Sequence, residues 1–519
     1  MKHLPIGTQS FEILRSDNLL YVDKTQDIYR LVTDSRIVFL SRPRRFGKSL
    51  LVSTMDELFR GNKHLFEGIY IYDKWDWSRQ CPVIRIDWTR ITHSTLEEMK
   101  VSLCSYLQTV AKQYDVSLTT ASAPDRFDEL IRLLREKTGE KVVVLIDEYD
   151  KPVTAHLFDA HLDGIRTAVH DFYQVMKGAD DYLRFIFLTG VSKFSGLSVF
   201  SALNNPNDIT LDKNYASLCG YTQEELEYYF PDYIDDMASI LEETRKDLLE
   251  DIRNWYDGYS WDGKTSVYNP FSTLLLFDKQ DFSSYWFNTG TPTFLIDILQ
   301  RRERTSVVLE QITVDSDLLK GGYDPQTLNE IPLLFQTGYL TIKSVEISRN
   351  KSKYTLGVPN EEVNEALMTN LLSVYGKYPG EDVDSLREEM EQRLREGDEN
   401  GFANCLETTI ATVPYELQIG CEHYYHTIML IWMRLLGFRI QGEKPNNRGR
   451  ADAVWEQPGL TVVAELKYHA EKKTEILLDE AMAQIHDRRY YNRYTGKVIL
   501  LGVAFSGKDI GCRMETINR

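Results

Sequence analysis

At 519 residues the chain is too long for one hydrophobic core, and roughly 150 residues per domain implies three or four units. No stretch approaches the ~20 apolar residues of a membrane span, the start lacks a signal-peptide pattern, and six scattered cysteines without a C-x-x-C pair argue against disulfide or structural-zinc frameworks, so a reducing cytoplasm is expected. A formal charge of −18 excludes a uniformly basic surface for nucleic acid, and since residues 415–519 carry 15 Lys+Arg against 13 Asp+Glu, any such contact belongs at the C-terminal end.

Residues 36–188 read as α/β. The apolar runs 37–40, 83–86, 142–146 and 185–188 alternate with helical patterns, as the strands of a parallel sheet do. The first run leads into Ser41-Arg42-Pro43-Arg44-Arg45-Phe46-Gly47-Lys48-Ser49-Leu50-Leu51, a strand, a tight loop and a helix start. That order defines a phosphate-binding loop. Gly47 lets backbone N–H groups close round phosphates, Lys48 brings positive charge to the β- and γ-phosphates, and Ser49 offers a hydroxyl to Mg²⁺. Arg42 stands where the motif's first glycine falls, which stiffens the loop.

The third run ends in Asp147-Glu148, at the strand edge where open α/β sheets bind ligands. Asp147 is expected to hold Mg²⁺ through water, and Glu148 to polarise the attacking water. The fourth run ends in Thr189, placed like a polar sensor. Arg45, Phe46 and Leu50 complete the expected nucleotide contacts.

Residues 222–254 turn helical and acidic, and turn signals follow at Asp257-Gly258, Asp262-Gly263 and Asn269-Pro270. In the charge-dense stretch 381–400, Leu386, Met390 and Leu394 recur every fourth residue, which predicts an amphipathic helix. The last hundred residues form a separate α/β unit: a helix over 422–436, a hairpin, a second helix and a final strand over 498–505.

In that hairpin, 451–455 and 460–467 are strand-like and Glu456 to Gly459 is turn chemistry. Folding about Pro458-Gly459 pairs positions whose numbers sum to 917, so Asp452 faces Glu465, with Lys467 on the same side. Two carboxylates can hold Mg²⁺ or Mn²⁺, with the Leu466 carbonyl as a third oxygen, and Lys467 can orient the attacking water.

Leu4-Pro5-Ile6-Gly7, Tyr21 to Thr25, Arg42 to Ser49, Leu145 to Asp150 and Gly190 to Phe194 together resemble the bacterial AAA-ATPase-like family, which commonly carries a PD-(D/E)XK nuclease domain behind the ATPase. Asn447 to Ala453 and Ala464 to Lys467 are similar to motifs II and III of that nuclease superfamily. The resemblance implies that Glu422 is the superfamily's helical glutamate and a further metal ligand. It also implies that Gln484 and Tyr490 belong to its Gln–Tyr motif, with Arg448 and Arg450 contacting phosphate. The fold expected is a P-loop AAA-type core over 1–221, a helical lid and winged-helix-like region over 222–370, a helical connector over 371–410, and a separate α/β nuclease-like domain over 411–519. Asn254 to Tyr259 and Tyr268 to Phe271 are expected to pack as aromatics in the lid.

The expected function is an ATP-regulated, Mg²⁺-dependent nuclease. DNA is the expected partner, since no aromatic-bearing RNA-recognition motif occurs, and the ATPase offers a route to self-association. A nucleotide-dependent switch, whose nuclease-like domain binds nucleic acid or a partner without cutting, fits the same residues.

Overall fold

The computed structural model describes residues 1–156, 161–193, 203–286, 312–321, 330–348, 351–367, 380–411, 453–457, 459–469, 471–506 and 509–518. By internal contacts the chain forms two compact units. One comprises Met1–Gly290 and Gln311–Glu361, and the other takes in Glu362–Arg519.

The first unit is built on a parallel sheet of β1 (Ile37–Ser41), β2 (Val83–Asp87), β3 (Val142–Asp147), β4 (Leu183–Gly190) and β5 (Asn207–Asp208). Their order is β2-β3-β4-β1-β5, and every pair is parallel. All six residues of β3 are buried, which explains its unbroken Val-Val-Val-Leu-Ile run, because a sheet covered on both faces tolerates no alternation. β4 lies between β1 and β3 and is longer than its apolar run, reaching Gly190. The order brings the ends of β1, β3 and β4 together at one edge.

On the outer strand β2, tyrosines from the neighbouring helix Leu96–Gln113 and its C-cap cover the exposed backbone. The Tyr114 hydroxyl accepts from Val83 N at 2.8 Å and donates to Val83 O at 3.0 Å, while Tyr106 donates to Arg85 O at 2.9 Å. Unpaired edge groups are thereby satisfied without a further strand.

Three helices, Gln223–Tyr229, Pro231–Ile240 and Arg245–Tyr256, fill the acidic helical stretch. Thr222 opens the first with a capping box to Glu225, and Glu225 also binds Lys24 at 2.6 Å. Phe230, Ile234, Met237, Leu248, Ile252 and Tyr256 meet Leu276 of helix Pro270–Lys279 in one apolar core. An antiparallel sheet follows in the same unit, made of β6 (Ile312–Asp315), β7 (Thr341–Glu346) and β8 (Lys353–Gly357) with β8 in the middle.

In the second unit the amphipathic helix spans Gly380–Glu396 and buries Met390 and Leu394. A second helix, Glu399–Ala411, packs on the sheet that follows, and Glu399 accepts from Met514 N at 2.6 Å. That sheet has the order β12-β11-β10-β9, from β9 (Ala453–Gln457), β10 (Leu460–Tyr468), β11 (Lys497–Ser506) and β12 (Asp509–Asn518). β10 and β11 are parallel and are joined through helix Thr474–Arg488, while both outer pairs are antiparallel.

Two sequence expectations need correction here. Glu456 and Gln457 belong to β9 and pair with Thr461 and Leu460, so they are strand and not turn. The strand over 498–505 is not the last, because β12 pairs with it along ten residues. The helix expected over 422–436 lies outside the described residues.

Candidate nucleotide and nuclease sites

At the shared edge of the first unit, Gly47 precedes helix Lys48–Arg60 with φ +87°, a left-handed turn that favours glycine. Arg45 is left-handed too, at φ +69°. Lys48 is buried and donates to Arg42 O at 3.0 Å and Pro43 O at 2.9 Å, with its ammonium 4.0 Å from Glu148 Oε1. The lysine is thus positioned inside its own loop, facing the acid expected to act on water.

Asp147 is buried and its Oδ1 has no hydrogen-bond partner. Burial pushes its carboxyl above the usual range, opposed by the Ser49 hydroxyl and Lys48 and reinforced by Glu148. A buried oxygen of this kind, beside a serine hydroxyl, suits a hard divalent cation. Glu148 adopts φ +55°, which strains a non-glycine backbone.

Thr189 lies at the expected strand end, and its buried hydroxyl donates to Leu40 O at 2.9 Å, tying β4 to β1. The Phe46 side chain packs edge-on against Tyr259 at 4.8 Å and Trp261 at 5.5 Å. Any contact of Phe46 with nucleotide is therefore a backbone one. Leu50 is half-buried on the first turn of the helix.

Arg42 explains the missing glycine. It is fully buried, and its guanidinium donates to Ser41 O at 2.9 Å, Thr210 O at 2.8 Å and Tyr215 O at 3.2 Å, while stacking 3.9 Å from the Trp261 ring centre. Burial pulls its pKa down to about 10. Arg45 lies over Phe271 at 4.8 Å, and Trp286 donates to Arg44 O at 3.1 Å. Tyr259, Trp261, Phe271 and Trp286 hold the outside of the phosphate loop, while Trp255, Tyr256 and Tyr268 of the same aromatic runs pack in the helical core. Asn269 also caps its helix, accepting from Phe271 N at 2.9 Å.

A substitution tests this reading. Arg42→Gly restores the common motif, yet it strips three buried carbonyls of their donor, so it is expected to destabilise the first unit by about 3 kcal/mol. Denaturant melts of the two proteins measure the difference, and equal midpoints would refute the anchoring role.

In the second unit the five described pairs of β9 and β10 run from Leu460↔Gln457 to Ala464↔Ala453, and each pair sums to 917 as the hairpin reading required. Asp452, opposite Glu465 in that register, lies outside the described residues, as do Glu422, Arg448 and Arg450. Glu465 is fully buried. Lys467 donates to Glu465 Oε1 at 3.1 Å and to Gln484 Oε1 at 2.8 Å. One strand face and one helix face therefore bring Glu465, Lys467 and Gln484 into a single cluster. Tyr490 begins the short helical turn Tyr490–Arg493 beyond that helix. Among the described residues no three His, Cys, Asp or Glu converge on a metal position. Glu465 and the Leu466 carbonyl, on one strand, are two of the three oxygens expected to hold a hard cation, and Lys467 lies beside Glu465 as the group expected to act on water.

Sequence reasoning missed two residues of the front site. In the sequence Arg42 is a departure from the motif and the start of a family-like run, with nothing to show its anchoring role. Asp150 is the last residue of the family-like run Leu145 to Asp150 and a third acid at the strand end, with no role of its own.

The molecule is thus a P-loop unit with a strand between its phosphate-loop strand and its acidic strand, followed by a separate unit whose mixed sheet carries a Glu–x–Lys pair. Residues 5–200 match the AAA-ATPase-like family model, described as a predicted AAA-ATPase, and residues 420–514 match that of the PD-(D/E)XK nuclease superfamily. Over 518 residues the chain is 36% identical to the "Uncharacterized protein in vnfD 5'region" of Azotobacter chroococcum mcd 1, covering 97% of this chain and 96% of that protein. The chain belongs to the AAA-ATPase-like family and carries a PD-(D/E)XK nuclease superfamily domain at its C-terminus. Among the described residues no helix is long and apolar enough to cross a membrane.

Proposed function

We propose that this protein binds and hydrolyses ATP and that its C-terminal domain is a Mg²⁺-dependent DNA endonuclease gated by nucleotide state. The domain limits that go with this reading are an ATPase core over 1–221, a lid and winged-helix-like region over 222–370, a connector over 371–410 and the nuclease domain over 411–519. The proposed setting is the cytoplasm, with self-association through the ATPase.

The observation that carries the nuclease half is the Glu465–Lys467–Gln484 cluster. Gln484 holds the lysine ammonium beside the glutamate, so the lysine can donate to and orient a water aimed at the scissile phosphate. Glu465 and Asp452 would hold Mg²⁺ or Mn²⁺, with Glu422 as a further ligand, while Arg448, Arg450 and Tyr490 would contact the DNA backbone. The metal, when bound, supplies charge against the developing phosphorane oxygens. For the ATPase half, Ser49 and Asp147 would hold Mg²⁺, the N–H groups from Arg45 to Leu50 would cradle phosphates, and Glu148 would polarise water.

A second reading, a nucleotide-dependent switch without cleavage, is favoured by one observation. The Lys48 ammonium is engaged by carbonyls of its own loop, a resting arrangement that nucleotide must displace.

The deciding experiment is cleavage of plasmid and single-stranded DNA with Mg²⁺ or Mn²⁺, with and without ATP, beside Asp452→Ala and Lys48→Ala. Cleavage is expected in the wild type, absent in Asp452→Ala, and insensitive to ATP in Lys48→Ala. Failure of the wild type to cut either substrate in any nucleotide state would reject the nuclease and leave the switch.

A further inference from the structure

Behind the acidic strand end lies a carboxylate that nucleotide chemistry does not use. Asp150 is 1% exposed, three residues past Asp147 and two past Glu148. It accepts from Val191 N at 3.3 Å on Oδ1 and from Ser192 N at 2.7 Å on Oδ2. Both amides belong to the segment that leaves β4. Tyr149, fully buried, donates its hydroxyl to Ser192 O at 2.7 Å, and its amide donates to Thr189 O at 3.0 Å. The turn holding Glu148 is therefore bonded four times to residues 189–192.

The same segment is bonded to the phosphate loop and to the far end of the unit. Arg42 N donates to Gly190 O at 3.2 Å, and Ser41 donates to Val191 O at 2.5 Å. Lys193 N donates to Gln336 Oε1 at 2.9 Å, and Gln336 is buried in helix Glu330–Thr337. Gly190 fits this arrangement by having no side chain, because a Cβ there would lie 2.3 Å from Asp150 Oδ1 and 2.6 Å from the Tyr149 ring.

Thr189 cannot be the moving part of a sensor while its hydroxyl is tied to Leu40 O. We propose that Asp150 is a positioning residue that clamps the Glu148 turn to Gly190–Lys193, so that this backbone segment, and not the Thr189 side chain, reports the γ-phosphate to helix Glu330–Thr337. The inference rests on the ATPase reading given above. A left-handed Glu148 needs such a clamp, since nothing in its own sequence favours φ +55°. Burial, with the Glu148 charge adding to it, pushes the Asp150 carboxyl up to about 7, and the hydrogen bond from Ser192 N opposes that rise.

Two full-length variants test the clamp from opposite sides: Asp150→Asn, which weakens the acceptor, and Gly190→Ala, which displaces it while leaving every carboxylate intact. Each is measured for ATP turnover and for equilibrium binding of ADP and of a non-hydrolysable ATP analogue, with thermal melts alongside. Both variants are expected to lower kcat by about tenfold or more with KM for ATP moving less than about twofold. The preference for the ATP analogue over ADP should collapse toward one while ADP affinity is kept. Wild-type kcat and wild-type nucleotide preference in variants that melt normally would overturn the proposal. So would a parallel loss of ADP affinity and melting temperature, which marks a role in folding alone. A wild type without turnover defeats the hydrolysis reading separately, and the analogue-to-ADP preference then decides the clamp. If that wild type shows no preference either, both ideas fall.

Discussion

Lys467→Ala is expected to lower metal-dependent DNA cleavage by about a thousandfold, at the upper end of what removing one preorganised donor costs. The lysine is half-buried between two acceptors, Glu465 Oε1 at 3.1 Å and Gln484 Oε1 at 2.8 Å, so its ammonium has one address. Its removal also takes the lysine charge from a fully buried glutamate, at a cost of roughly 3 kcal/mol. Lost activity alone would therefore confuse chemistry with folding. The double variant Glu465→Gln with Lys467→Met separates them. It removes both charges together, replaces the lysine with a side chain of similar length, and should recover most of the lost stability while staying inactive. Cleavage within about threefold of wild type in a folded Lys467→Ala protein would remove the lysine from the mechanism.

The Glu465–Lys467 pair was legible in the sequence for a simple reason, whereas Gln484 entered only through the resemblance to the nuclease superfamily. A hairpin about Pro458-Gly459 has one register, and the observed pairs keep it to Ala464↔Ala453. Strand alternation then places Glu465 and Lys467 on one face without any further information. The buried strands of the first unit were legible because a two-faced sheet demands continuous apolar runs.

β12 was not legible. Only Cys512 along it is buried, so its attachment is made mainly by backbone bonds to β11, which leave no pattern in side chains. The side-chain partners of Phe46 and Arg42 were not legible for a related reason. Their partners Tyr259, Trp261, Thr210 and Tyr215 are distant in sequence, and the motif that contains them describes only local chemistry. The carbonyls of Thr210 and Tyr215 and the Trp261 ring, which hold Arg42, lie outside that motif.

Asp147→Asn is the second large effect, and its two consequences run in opposite directions. The wild-type carboxylate is buried with one oxygen unpaired, and burial raises its pKa. A raised folded pKa means that the native state binds protons more readily than the unfolded chain. The ionised carboxylate therefore costs stability above its folded pKa, and the cost vanishes below the ordinary carboxylate range. Removing the charge should raise the melting temperature of the nucleotide-free protein at pH 8 by about 2 °C, the size that roughly 1 kcal/mol gives in a domain this large. At pH 4 the gain should shrink toward zero.

The same change removes the anionic oxygen expected to face Mg²⁺ beside Ser49. The stabilisation that Mg²⁺ and ATP give by binding only the native state should therefore fall in the variant, by about 2 °C or more at saturating ligand. Melting curves at pH 4 and 8, each with and without Mg²⁺ and ATP, read both effects from one protein. A variant less stable than wild type without ligand would show that the carboxylate has a structural partner. An unchanged Mg²⁺–ATP shift would show that the cation is held elsewhere. A gain in resting stability joined to a loss of ligand response is what a site kept unsatisfied for its cation produces.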